Sequence, residues 1–175
     1  SEQMDEAKQA GANGFITKPL FCSRLIYKLK KFADGSFKEV DSRPVIRGSY
    51  SGKRVLLAED NQLNREIVVE ILSDAGEAVE TAENGKAAVA KMTESPEGTY
   101  DLIFMDMQMP VMDGCTAAEK IRMLPRKDVK SVPIIAMTAN AFADDRQKTR
   151  KAGMNGHLAK PIDMEQLQMV LDKWL

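Results

Sequence analysis

Only two cysteines, Cys22 and Cys115, occur in the 175 residues, and they are far apart with no metal-ligand spacing. They are read as reduced thiols of a cytoplasmic protein, and neither a disulfide nor a cysteine metal site is expected. No apolar run approaches the roughly 20 residues that cross a bilayer, and no signal-peptide pattern is present. Charge of either sign is nearly balanced at a formal net of -1, so bulk electrostatics give no reason to expect nucleic acid. Neither a P-loop nor a Gly-x-Gly-x-x-Gly pattern occurs, which removes the usual Gly-rich nucleotide cradles. The eleven methionines read as core filler. The chain opens Ser1-Glu2 with no initiator Met, as a cut fragment would.

What is present is an alternation of short apolar runs and amphipathic stretches from residue 53 onward. Arg54-Val-Leu-Leu-Ala58 and Tyr100-Asp-Leu-Ile-Phe-Met-Asp106 are short, bounded by turn signals and apolar throughout, as strands buried on both faces of a parallel sheet are. Ala78–Ala82, Val132–Met137 and His157–Ala159 supply three further strands. Leu63, Ile67, Val68, Ile71 and Leu72 fall at helical spacing and Gly76 closes that helix. Further helices are expected from Gly85 to Thr93 behind the cap Asn84, from Cys115 to Met123, from Asp144 to Lys151 and from Asp163 to Trp174. Strand and helix alternating five times predict an α/β fold with helices on both faces of the sheet. Of the doubly wound arrangements, the flavodoxin-like five-stranded order 2-1-3-4-5 is expected.

The first 52 residues are not a comparable unit, and an internal repeat accounts for them. Ala10–Pro19 mirrors Ala152–Pro161, and Leu25, Leu29 and Phe32 correspond to Leu167, Leu171 and Trp174. Residues 1–32 therefore read as the closing helix–strand–helix of an upstream domain, too short to bury a core alone. Residues 33–53, with Gly35, Pro44, Gly48 and Gly52, read as a linker, and 54–175 as the complete domain.

In an open α/β sheet the ligand crevice lies beyond the carboxyl ends of the strands. Those ends carry Glu59 and Asp60, then Asp106, Thr138 and Lys160. Carboxylates delivered together repel unless a cation shares the site, and oxygen donors of this kind suit Mg²⁺. An ionised aspartate can attack phosphorus, which makes Asp106 the candidate nucleophile. The Lys160 ammonium would neutralise the phosphoryl oxygens and the Thr138 hydroxyl would donate to one of them. Each feature alone is weak; helix N-termini, for example, also attract acids. The conjunction, each residue at the end of its own strand, is the signal.

Glu59-Asp60-Asn61, Met105-Asp106-Met107-Gln108-Met109-Pro110 with Met112-Asp113-Gly114, Met137-Thr138-Ala139-Asn140 and Lys160-Pro161 together resemble the receiver domain of two-component response regulators, in the style fused to hybrid sensor histidine kinases. The resemblance covers residues 53–175; residues 1–32 resemble only the end of another receiver. It implies that Asp106 is phosphorylated from a phosphohistidine. It also implies that Asp60 binds Mg²⁺ directly, Glu59 through water, and the Gln108 backbone carbonyl completes the metal set of Glu59, Asp60, Asp106 and Gln108. Thr138 would be the switch hydroxyl, Lys160 the phosphate-pairing lysine, and Lys160-Pro161 a cis bond. The implied output is a changed surface near the fourth helix, fifth strand and fifth helix. Such a domain assists its own phosphorylation and dephosphorylation, and the parent protein would be a hybrid histidine kinase, with membrane anchoring of that parent left open.

Two departures stand out. Glu59 replaces the Asp common at the first acidic position, lengthening the side chain by a methylene. His157 occupies the position of the switch aromatic, three residues before the lysine, where it is either a switch of altered polarity or a half-exposed strand residue. As the single histidine, and on a strand, it is no phosphodonor. The expected partner is a histidine kinase or histidine phosphotransfer domain, with no nucleic acid and no membrane contact by this chain; dimer formation is left open. A pseudo-receiver scaffold is the alternative. An Asp-nucleophile phosphohydrolase is a weaker one, since that class needs an acid where Gln108 stands.

Overall fold

A computed structural model describes residues 50–139 and 143–175. The expected receiver-like remnant at 1–32, most of the 33–53 linker, and Asn140 lie outside the described residues. Five parallel strands form one sheet: β1 (Arg54–Ala58), β2 (Ala78–Ala82), β3 (Leu102–Asp106), β4 (Ile134–Thr138) and β5 (Gly156–Ala159), in the order β2-β1-β3-β4-β5. The connecting helices are α1 (Gln62–Asp74), α2 (Gly85–Glu94), α3 (Gly114–Arg122) and α4 (Ala143–Lys151), with α5 (Met164–Trp174) last. The doubly wound order expected from the sequence is the observed one.

Local chemistry sets the helix starts. Asn61, Asn84, Asp113 and Asp163 each accept a backbone N–H of the first turn behind them, satisfying donors that the helix itself cannot. Capping by Asp113 starts α3 at Gly114, one residue before the Cys115 expected from apolar spacing. A 3₁₀ turn over Asp128–Lys130, not anticipated from the sequence, lies between α3 and β4. There the Arg126 guanidinium pairs with Asp128 at 2.7 Å and also donates to the carbonyls of Ser95 and Pro96, tying the end of α2 to this turn.

Strands β3 and β4 are buried along their whole length, and Leu56, Leu57, Ile103, Phe104 and Met105 are shut off from solvent. Truncating a side chain such as Phe104 to Ala would cost about 3–5 kcal/mol. Register then carries the strand ends to one edge: Ala58 pairs with Met105, Asp106 with Met137, and Thr138 with Ala159. Backbone bonds from Met107 to Met137 (3.0 Å) and from Lys160 to Thr138 (2.8 Å) extend the ladder into the loops beyond. Among the described residues, no helix is long and apolar enough to cross a membrane.

One buried carboxylate is at odds with its surroundings. Glu77, between α1 and β2, is 5% exposed and neither of its oxygens has a hydrogen-bond partner. Burial pushes its pKa up from 4.5 to about 7. A pKa raised on folding stabilises below the unfolded value, and that contribution fades as pH rises toward the folded value. Stability should therefore fall with pH between about 4.5 and 7, by at most about 1.4 kcal/mol per pH unit from this group. Glu77→Gln is expected to remove that slope; denaturant midpoints of both proteins across this range check it.

Candidate functional site

The β1–α1, β3–α3, β4–α4 and β5–α5 loops enclose a polar crevice of about 480 Å³, lined among others by Glu59, Asp60, Asn64, Asp106, Thr138 and Lys160. Its centre is the Lys160 ammonium, with Nζ 2.7 Å from Asp106 Oδ2 and 2.6 Å from Glu59 Oε2. Glu59 is 1% exposed and Asp106 5%, so these are ion pairs made largely out of water. Burial alone would lower the lysine's pKa, but hydrogen bonds and charge from Asp106 and Glu59 outweigh it and leave the pKa above the ordinary lysine value. Lys160 is thus a fixed cation at neutral pH. The Lys160-Pro161 bond after it is cis, as the resemblance implied.

Asp60 is exposed and completes the acidic group. One carboxylate oxygen from each of Glu59, Asp60 and Asp106 lies within 4.8 Å of the others. Three hard oxygen donors converging at a wet crevice fit a small divalent cation that keeps part of its water shell, which is the coordination habit of Mg²⁺. Asp106 Oδ1 accepts the Gln108 backbone N–H at 3.2 Å, so the loop carrying the Gln108 carbonyl is folded back onto the acid. Two backbone constraints lie in the same loop. Val111 adopts a φ of 68°, costly for a β-branched residue. At Gly114 a Cβ would stand 2.2 Å from the Asp106 carbonyl oxygen; only glycine lets the N-terminus of α3 approach that closely.

Thr138 ends β4 on the rim of the crevice and is buried. His157 does not line the crevice. It lies on β5 in a separate groove of about 460 Å³ with Arg146, Arg150 and Asn155, where its Nε2 is hydrogen-bonded to Thr149 Oγ1 of α4. The Thr149 hydroxyl also reaches the Arg146 carbonyl at 3.1 Å within α4. The five residues Glu59, Asp60, Asp106, Thr138 and Lys160 are brought together with Gln108 at the edge of the group.

Sequence reasoning missed two residues in the first turn of α1. Asn64 Nδ2 donates to Glu59 Oε1 at 3.1 Å. The Arg65 guanidinium donates to the carbonyls of Glu59 (2.7 Å) and Asp60 (3.1 Å). Both follow Glu59 closely enough for the first helical turn to bend back over the strand end; the Asn61 cap was the available signal.

The comparisons with known proteins agree with this geometry. The family model described as response regulator receiver domain matches residues 55–172. Signal transduction histidine-protein kinase BarA of Escherichia coli (strain K12) is 36% identical over 167 residues, which is 95% of this chain and 17% of BarA. The chain therefore spans 17% of that relative's length. The crystal structure of the receiver domain of sensor histidine kinase PA1611 from Pseudomonas aeruginosa PAO1, with a magnesium ion coordinated in its active site cleft, superposes with a TM-score of 0.63 at 39% identity, over 71% of this chain and 98% of that one. The receiver domain of the response regulator Ssk1, solved with the histidine phosphotransfer protein Ypd1 of Saccharomyces cerevisiae, gives 0.63 at 33% identity, over 70% of this chain and 88% of that one.

Removing the central cation should expose the repulsion it suppresses. Lys160→Met is expected to lower the melting temperature in EDTA, because Glu59 and Asp106 lose the counter-charge they share. Losing one partner of a buried pair typically costs about 3–5 kcal/mol. Thermal unfolding of both proteins in EDTA at neutral pH measures it.

Proposed function

The chain belongs to the response regulator receiver domain family, and we propose from that premise that it is the phosphoacceptor of a two-component phosphorelay, with Asp106 the residue that takes the phosphoryl group. The observation that carries this reading is the Lys160 ammonium held between Asp106 and Glu59, with Asp60 completing an acidic group beside it. A purely structural ion pair has no need of a third acid facing the same crevice.

In this reading a carboxylate oxygen of Asp106 attacks phosphorus on a donor phosphohistidine. The O–P bond forms as the P–N bond breaks, and the imidazole leaves with the electron pair and recovers a proton. Lys160 stands 2.7 Å from Asp106 Oδ2 and follows the negative charge as it moves onto the phosphoryl oxygens. Glu59, Asp60, Asp106 and the Gln108 carbonyl would hold Mg²⁺, which supplies the positive charge that a phosphoryl group needs in flight. Thr138, on the rim, donates its hydroxyl to a phosphoryl oxygen once the acyl phosphate exists. If His157 follows Thr138 inward, it gives up its bond to Thr149, at a net cost of about 1 kcal/mol.

The donor we propose is a histidine phosphotransfer or kinase domain; the Ssk1 receiver was solved with a protein of the first kind. Two exposed apolar side chains suit such a contact: Leu63 at 63% exposure on α1, and Val111 at 77% in the β3–α3 loop. Both belong to segments that border the crevice. The match to BarA extends well past residues 55–172, which supports reading residues 1–32 as the end of a second receiver-like unit in a histidine kinase parent.

Intact mass after incubation with acetyl phosphate and Mg²⁺ tests the acceptor. Gain of one hydroxylamine-labile phosphoryl group, absent in Asp106→Asn and in EDTA, is expected; a folded chain that gains none would move the reading to a scaffold. Leu63→Asp should keep this labelling while transfer from a phosphorylated histidine phosphotransfer domain slows by about tenfold or more. Unchanged transfer would place the docking face elsewhere.

A further inference from the structure

The Glu59 side chain has two oxygens and, in this structure, two different restraints. Oε2 faces the Lys160 ammonium at 2.6 Å, and Oε1 accepts from the Asn64 side-chain amide at 3.1 Å. The two are not equivalent over a reaction. Lys160 is shared with Asp106, and a phosphoryl group arriving on Asp106 brings oxygens that compete for the ammonium. Once the lysine turns toward them, Glu59 Oε2 loses its close partner. Asn64 has no such competing duty: its backbone N–H is fixed on Asn61 Oδ1 at 3.1 Å, and its amide NH₂ is aimed at the acid. The orientation of the amide is chemically forced, because its carbonyl would repel a carboxylate oxygen.

The rest of the first turn of α1 grips the same dipeptide. Arg65 holds the Glu59 and Asp60 carbonyls, so the backbone of the acidic pair is already fixed and the remaining freedom lies in the Glu59 side chain. A glutamate has one more rotatable bond than an aspartate, and an unrestrained carboxylate at its end would visit rotamers in which it no longer faces the crevice. Pinning Oε1 to the helix removes that freedom and keeps the carboxylate turned inward.

We propose that Asn64 is a positioning residue for the divalent-cation site: it holds the longer acid Glu59 in its ligating orientation, and does so when Lys160 has turned to the phosphoryl group. The inference rests on the reading that this crevice binds Mg²⁺. Outer-shell groups that orient a ligating carboxylate change metal affinity by about 10- to 100-fold when removed. Asn64 acts here through Glu59, not by touching the metal or the phosphoryl group.

The test is calorimetric titration of Mg²⁺ into the full chain. Asn64→Leu, similar in size with no donor, should weaken Mg²⁺ binding about tenfold while the melting temperature in EDTA stays near that of the wild type. Asn64→Gln, which keeps the amide, should recover part of the affinity. In a Glu59→Gln background, Asn64→Leu should add less than about a twofold further loss, because the two residues act as one unit. Should Asn64→Leu prove poorly folded, Asn64→Ala, which also lacks a donor, replaces it in the same comparison. Wild-type affinity in the Asn64 variants would overturn the proposal, as would a full tenfold loss in the Glu59→Gln background. If the wild-type chain binds Mg²⁺ but is never phosphorylated on Asp106, the phosphoacceptor reading fails and the role of Asn64 stands. Absence of any Mg²⁺ binding by the wild type overturns both.

Discussion

An ammonium group sits where the fold delivers too much negative charge, and the site is organised around it. Parallel pairing in the order β2-β1-β3-β4-β5 brings the ends of β1 and β3 side by side, with Glu59 and Asp106 both buried. Two carboxylates cannot stay ionised in such a place without a counter-charge. Lys160, at the end of β5, reaches both, at 2.6 and 2.7 Å. With Asp60 unpaired by that lysine, the group keeps a surplus of negative charge. In the proposed reading a divalent cation would relieve the surplus, and an incoming phosphoryl group would then take the lysine. In that reading the ion pair is the resting state of a site with two further positive-charge requirements, one for the metal and one for the transferred group.

The backbone around this pair is built to tight tolerances for the same reason. The β3–α3 loop must turn back on Asp106 so that the Gln108 N–H reaches Oδ1. In the same loop Val111 is held at positive φ, and Gly114 lies against the Asp106 carbonyl. Strain of about 1–3 kcal/mol at such a residue persists only where the surroundings over-determine it, and here they are the buried strand on one side and the capped helix on the other. The first turn of α1 plays the matching part for Glu59 and Asp60 through Asn64 and Arg65. Two loops from adjacent strands thus hold the acids, and the sheet register fixes the distance between them.

Most of this was legible in the sequence because it follows from repeating chemistry. Apolar runs of fixed length named the strands, and carboxylates or a lysine just beyond them named the crevice edge. Asn84 and Asp163 announced their helices. What the sequence concealed is of two kinds. The start of α3 at Gly114 and the 3₁₀ turn at Asp128–Lys130 depend on capping and on the Arg126 clamp, which apolar spacing does not register. The grip of Asn64 on Glu59 and the bond between His157 and Thr149 depend on where side chains point after packing. His157 was legible as a residue of unusual polarity at its position; that it rests on α4, in a groove apart from the crevice, was not.

The central claim is that Asp106 is an acceptor poised by a metal and a lysine, and fluorine NMR of beryllofluoride, an acyl-phosphate mimic, tests it most directly. With Mg²⁺ present, protein-bound fluoride resonances should appear for the wild-type chain and be absent in EDTA and in Asp106→Asn. A folded wild-type chain that shows no bound fluoride with Mg²⁺, or an Asp106→Asn variant that still binds it, would contradict the account.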